Sequence, residues 1–137
     1  MTDKSNLDRL KAAYQAWHDT KGDPNVWLDL MDDDFHLESM GGDANAISFA
    51  EARNSKQEAV AYFADLTKGW KMISWSPHTF VDDGEAISMF GQCAWMHRTT
   101  GKIAEVRIAH LWKFRNGKAV GLTEVFDSFR AVAAATP

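Results

Sequence analysis

The 137-residue sequence has one cysteine, three prolines and a small excess of acidic over basic side chains, 19 to 15. Each shortage removes a class of protein. A lone Cys93 cannot close an internal disulfide, so stability must come from the core, and a reducing, cytoplasmic setting is expected. No stretch approaches the roughly 18 consecutive apolar residues of a membrane-spanning helix. Met1 to Asn6 is polar and lacks the basic patch and apolar stretch of a secretory signal, so export is not expected. A formal charge of −4 repels phosphate backbones, and no cluster of Lys and Arg is interleaved with aromatics, which argues against a nucleic-acid partner. There is no Gly-rich phosphate loop and no nucleophile elbow, so no nucleotide cofactor is expected. His18, His36, His78 and His97 show no ligand spacing, and no metal site is expected. His78 and His97 remain candidates for a polar cluster with His110.

Aromatic and sulfur-bearing side chains are plentiful: six Trp, eight Phe and six Met, suited to a wide apolar interior. Leu7, Leu10, Tyr14 and Trp17 recur at helical spacing behind a Ser5/Asp8 capping pair, predicting a helix from Asn6 to Thr20. Asp23-Pro24 opens a short second helix with Val26, Trp27, Leu30 and Met31 inward. Phe35 to Ser39 alternates as a short strand, and Gly41-Gly42-Asp43 begins a polar loop reaching Asn54, the expected pocket rim. Ser55 and Glu58 cap a third helix with Ala59, Val60, Phe63 and Leu66 on its apolar stripe, ending at Gly69. From Lys71 the period changes to two. Turn signals at Asp83-Gly84, Thr100-Gly101 and Asn116-Gly117 divide the remainder into four strands, about 71–82, 85–98, 102–115 and 118–129. The Ala-rich end, 130–137, is expected to fray. The reading is one domain over 1–129 with a short tail, an α+β fold in which three N-terminal helices pack on a cone-shaped, curved antiparallel sheet.

The order of elements resembles the SnoaL-like and ketosteroid-isomerase-like branch of the nuclear-transport-factor-2-like superfamily, a cystatin-like α+β roll. The resemblance covers nearly the whole chain. It is carried by His110-Leu111-Trp112-Lys113-Phe114-Arg115-Asn116-Gly117-Lys118 followed by Leu122-Thr123-Glu124-Val125-Phe126-Asp127, with echoes at Leu30 to Phe35 and Ser55 to Val60. It implies a cone enclosing an apolar cavity, a homodimer through the outer sheet face, and a small apolar, polyketide-like or steroid-like ligand. Isomerases, cyclases, dehydratases and hydrolases share the fold with binding and assembly domains, so fold alone does not decide chemistry.

The candidate catalytic residues are His110, Glu124, Asp127 and Tyr14. His110 sits on an apolar strand face and resembles the cyclase His; the same position aligns with the oxyanion-holding acid of ketosteroid isomerases. Which carboxylate meets it depends on the last hairpin. A two-residue turn puts His110 opposite Thr123, with Asp127 roughly 13 Å along the strand; a three-residue turn with a Gly bulge puts it opposite Leu122, with Glu124 on the inner face. Glu124 matches the cyclase spacing and is preferred, with Asp127 second. Tyr14 matches the isomerase phenol. At the place of the isomerase base this chain has Ser39, preceded by Glu38, which argues against steroid isomerisation. Trp17, Glu38, Phe63, Trp95 and Trp112 are the expected substrate contacts. Two readings follow: a cofactor-independent acid–base enzyme, or a ligand-binding or assembly domain without turnover.

Overall fold

The computed structural model describes residues 5–39 and 52–137. Helix α1 (Asn6–Asp19) begins as expected: the Ser5 hydroxyl accepts the Asp8 N–H, and Leu10, Ala13, Tyr14 and Trp17 form the buried stripe. The expected second helix is reduced to one 3-10 turn, Pro24–Trp27, capped by Asp23. Met31, placed on that helix by its apolar spacing, instead opens strand β1 (Met31–Ser39). The reason is pairing: Met31 sits beside Ala119, whose N–H donates to Leu30 at 2.8 Å, and a sheet edge outbids a helix with no propagating turn.

Helix α2 (Lys56–Gly69) is capped by Ser55 and buries Ala59, Tyr62 and Phe63. Val60, expected on that stripe, is half-buried, and Tyr62 takes the inward position. Strands β2 (Trp70–Asp82), β3 (Ala86–His97), β4 (Ile103–Arg115) and β5 (Lys118–Phe126) form the expected meander. The sheet order is β1-β5-β4-β3-β2. It is not wholly antiparallel: β1 lies parallel to β5 at the edge the meander leaves open. The result is a curved, unclosed five-stranded sheet with three helices, an α+β fold.

Curvature has a local cause. Register slips on β2 between Met72 and Ser74 and between Pro77 and Thr79, where β3 presents Gly91. A side chain at Gly91 would meet the Ser76 carbonyl oxygen at 2.5 Å, so the strands close up only because glycine stands there. The Ala-rich end does not fray. Asp127 caps helix α3 (Ser128–Ala135), which buries Ala131 and Ala134. Its far end is tied to the β3–β4 hairpin, since Thr100 donates to the Ala134 carbonyl at 2.5 Å and Lys102 to that of Thr136 at 2.7 Å. Alanine has the highest helix propensity of any residue, and here it also packs without side-chain entropy. The core lies between the inner sheet face and the helices, around Trp17, Trp27 and Trp112.

Candidate functional site

The last hairpin brings the carboxylate to the imidazole by a route neither expected register contains. Asn116 and Gly117 take φ of 51° and 78° and form a two-residue turn, so Arg115 pairs with Lys118 and Phe114 with Ala119. Lys113 then pairs with Gly121, which leaves Val120 as an extra residue on β5. That bulge advances the register by one, and His110 faces Glu124 rather than Thr123 or Leu122. On the other side of β5, Ser39 of parallel β1 is also level with Glu124. One inward row therefore carries Ser39, Glu124 and His110 on adjacent strands.

These groups form a continuous hydrogen-bonded chain. Nε2 of His110 lies 2.8 Å from Oε2 of Glu124, and Nδ1 lies 2.5 Å from the Tyr14 hydroxyl. The Trp112 indole N–H donates to the Tyr14 oxygen at 2.8 Å. Oε1 of Glu124 accepts from the Tyr62 hydroxyl at 2.5 Å and from Ser39 at 2.9 Å. The tautomer follows from donor counting. Tyr14 already accepts from Trp112, and among the described residues His110 Nδ1 is the acceptor its own hydroxyl proton has. Nδ1 is then unprotonated, and the ring proton sits on Nε2, donated to an ionised Glu124.

The electrostatics agree. Burial pushes the Glu124 carboxyl up, but the hydrogen bonds from His110, Tyr62 and Ser39 outweigh it and hold the pKa below the ordinary carboxylate value. Burial drives the Tyr14 phenol well above its ordinary value, partly offset by the Trp112 bond and reinforced by the Glu124 charge. Burial, then the Glu124 charge, do the same to Tyr62. Both phenols are fixed as neutral donors.

His110, Glu124 and Tyr62 open onto a hollow whose wall includes all six tryptophans: Trp17, Trp27, Trp70, Trp75, Trp95 and Trp112. The hollow is narrow. About 60 Å³ is open to the centre of a water-sized sphere, room for a few waters and under half the ~150 Å³ of an engineered cavity that admits benzene. Among the described residues, Glu124 is the one carboxylate on this wall and no Lys or Arg lines it. Cys93 also lines it, but burial pushes its thiol up to about 12, so it is an apolar wall element and not a nucleophile.

With this fold and site in view, the comparison with protein families is decisive: the model of the SnoaL-like domain matches residues 10–122. The chain belongs to the SnoaL-like domain family. No curated protein matches the sequence significantly. Among solved structures, this SnoaL-like domain is similar to a nuclear-transport-factor-2-like protein from Burkholderia thailandensis, with 23% identity, TM-score 0.83 and coverage of 98% of this chain and 100% of that one. A protein of the same fold from Burkholderia pseudomallei gives 21% identity, TM-score 0.85 and the same coverages of 98% and 100%. TerC, co-crystallised with polyporic acid, gives 20% identity, TM-score 0.75 and coverage of 95% and 97%. At these identities the likeness concerns the fold.

Of the residues singled out in the sequence, the SnoaL-like domain gathers His110, Glu124 and Tyr14 into one network and places Trp17, Phe63, Trp95 and Trp112 on the cavity wall. Asp127 is elsewhere. It accepts the Arg130 N–H at 3.1 Å as the cap of α3 and pairs with the Arg130 side chain at 3.1 Å. Glu38 is exposed, because alternation along β1 sends its neighbour Ser39 inward. His78 is exposed, while His97 packs edge-on against Trp70 at 4.8 Å and accepts the Thr100 N–H, so neither joins His110. Of the expected rim loop, 41–54, positions 41–51 lie outside the described residues; its described end returns to the sheet, where Arg53 bridges to Leu37.

Sequence reading missed Tyr62 and the role of Ser39. Tyr62 was detectable, since 59, 62, 63 and 66 are one helical stripe. Among the described residues no group of three or more His, Cys, Asp or Glu is set to hold a metal ion, and no helix is long and apolar enough to cross a membrane.

Proposed function

We propose that this SnoaL-like domain is a cofactor-independent acid–base enzyme of the isomerase, cyclase or dehydratase type, in which Glu124 moves a proton on a small, uncharged, largely apolar molecule. The observation that carries the reading is the triply held Glu124 carboxylate on the wall of an aromatic cavity. A carboxylate has about four acceptor positions; His110, Tyr62 and Ser39 take three, and one is left for a substrate proton. His110 has neither ring nitrogen free, so its part is to orient and charge-stabilise Glu124 and not to touch substrate. Tyr62, on the wall beside Glu124, gives its one hydroxyl proton to the carboxylate, so it holds the base in place and does not donate to the substrate. An ionised carboxylate of low pKa is a mild base. It suits a C–H already acidified by a neighbouring carbonyl, and a wall whose described residues carry the Glu124 charge and no cation disfavours anionic substrates.

The narrowness of the hollow favours a second reading, a ligand-binding or assembly domain with no turnover. Under either reading the family resemblance suggests a homodimer through the outer sheet face, where Phe90 and Val125 are 49% and 45% exposed.

A thermal-shift screen of small cyclic ketones and phenols, followed by solvent-deuterium exchange into each hit, separates the two. Acid–base chemistry predicts deuterium at the carbon beside the carbonyl with the native protein and none with Glu124→Gln, at unchanged circular dichroism. Stabilising hits with no exchange would leave the binding reading.

A further inference from the structure

The cavity extends along the sheet well past its hydrogen-bonded pole. On β4 the inward positions Ala104, Val106, Ile108, His110 and Trp112 all line it. Strand pairing sorts the wall into rows: His110 stands beside Glu124, Ile108 beside Phe126, Val106 beside Cys93 and Ala104 beside Trp95. Each of these partners lines the cavity as well. From the His110–Glu124 row toward the β3–β4 hairpin the wall is therefore apolar row after row, the Cys93 thiol being buried and un-ionised.

Length and width follow from these rows. Ala104 precedes His110 by six residues, ~20 Å along a strand at ~3.3 Å per residue. Spread over that ~20 Å, the 60 Å³ open to the centre of a water-sized sphere makes a bore little wider than the sphere itself. Such a bore has the girth of an unbranched hydrocarbon chain and is narrower than a cage or a fused ring. The far end is closed by small side chains. β5 stops at Phe126, opposite Ile108, and the chain turns into α3, which packs on β4 and presents Ala131 to the cavity. Thr100, in the β3–β4 hairpin, holds the far end of α3 near Ala104. Among the described residues Ala104 and Ala131 are the smallest on the wall, so this end has room because both are alanine.

We propose that the ligand of this cavity carries an unbranched aliphatic tail, which runs along β4 from the His110–Glu124 row toward the β3–β4 hairpin, and that Ala131 of α3 sets the greatest tail length. An extended chain advances ~1.25 Å per carbon, from a bond of about 1.5 Å at about 111°, so the row takes roughly ten to twelve carbons once the contact radii at both ends are allowed for. The tail gains by leaving water, and no polar group of the described wall beyond the first row is left to be satisfied. The proposal rests on the cavity used by the acid–base reading and names the ligand for it, but it concerns equilibrium binding and holds whether or not Glu124 turns the ligand over.

The test titrates the straight-chain methyl ketones from 2-butanone to 2-tridecanone against the native protein, read by the fluorescence of the wall tryptophans. Affinity should rise about three- to four-fold with each added methylene and level off once the chain fills the row. 1-Acetyladamantane, a methyl ketone with the carbon count of 2-dodecanone folded into a cage, should bind at least about ten-fold more weakly than 2-dodecanone. Ala131→Leu should lower the ratio of 2-decanone to 2-butanone affinity about ten-fold. In the native protein the terminal methyl of bound 2-decanone should show nuclear Overhauser contacts to the methyls of Ala104 and Ala131, a readout that needs no variant to fold. Affinity that ignores chain length, a cage bound as tightly as the chain, an unchanged ratio in Ala131→Leu, or no contact to either alanine would each overturn the proposal. Deuterium exchange beside the carbonyl is read separately. A series that climbs without exchange keeps the tail and removes Glu124 as base, whereas exchange without the climb does the reverse.

Discussion

His110 on β4 and Glu124 on β5 stand directly opposite each other, with 2.8 Å between Nε2 and Oε2, and both side chains turn inward. The pair is nearly dry, at 5% and 13% side-chain exposure. A charge in such a place must be compensated, and three donors compensate it. The same donors make protein stability depend on pH in a defined direction.

Because the folded Glu124 pKa is lowered from 4.5, its contribution is fully present above about that pH and is lost as the pH falls through the folded value. Urea midpoints of the native protein and Glu124→Gln, measured from neutral pH down to about pH 3, should differ most above 4.5 and converge on acidification. A gap independent of pH would show that the carboxylate charge is not what its neighbours hold.

Tyr14→Phe should leave the Trp112 N–H and His110 Nδ1 without partners, at a cost of roughly 1–3 kcal/mol in chemical denaturation. Lost packing is not involved, because the ring is retained. Nitrogen-15 spectra of His110 should show the Nε2–H tautomer in the native protein and a mixture in the variant. An unchanged tautomer would remove Tyr14 as the positioning group.

Gly91→Ala should destabilise by about 1–3 kcal/mol, since the added methyl meets backbone, the Ser76 oxygen at 2.5 Å and the Pro77 Cα at 2.9 Å. Gly101→Ala, with open space around it but φ of 73°, provides the comparison for backbone strain alone. Denaturant titration distinguishes the two.

Phe90→Asp places a charge at the middle of the outer face, where Phe90, Ala109 and Val125 lie level on adjacent strands. If that face joins two copies, sedimentation should report a dimer for the native protein and a monomer for the variant, with an unchanged fold. Identical sedimentation would locate any association elsewhere.

Helix α1 was legible because its capping pair and its apolar stripe agree, and the four long strands because each turn is marked by a Gly at the required place. The missed features depend on contacts distant in sequence. Met31 is apolar at helical spacing, yet the parallel partner Ala119 lies 88 residues away and cannot be read locally. Residues 130–137 read as tail because their composition is bland, and 128–129 as the end of the last strand; the packing of helix α3 against the β3–β4 hairpin is what fixes them. At the site, residue types pointed to His110, Glu124 and Tyr14. Their meeting depended on Val120, a valine like any other in a strand, whose unpaired state is settled by the neighbouring β1 pairing as much as by the turn.

The extra residue at Val120 also bears on how this hairpin tolerates change. Most identities along 118–123 are free to drift, since the inward and outward positions demand only apolar or polar character. Length is not free. Gaining a further residue there would present Thr123 to the imidazole and carry the acid to the opposite side of the sheet, so relatives that keep this proton-handling pair are expected to vary in spelling but not to lengthen the spacing between the histidine and the glutamate.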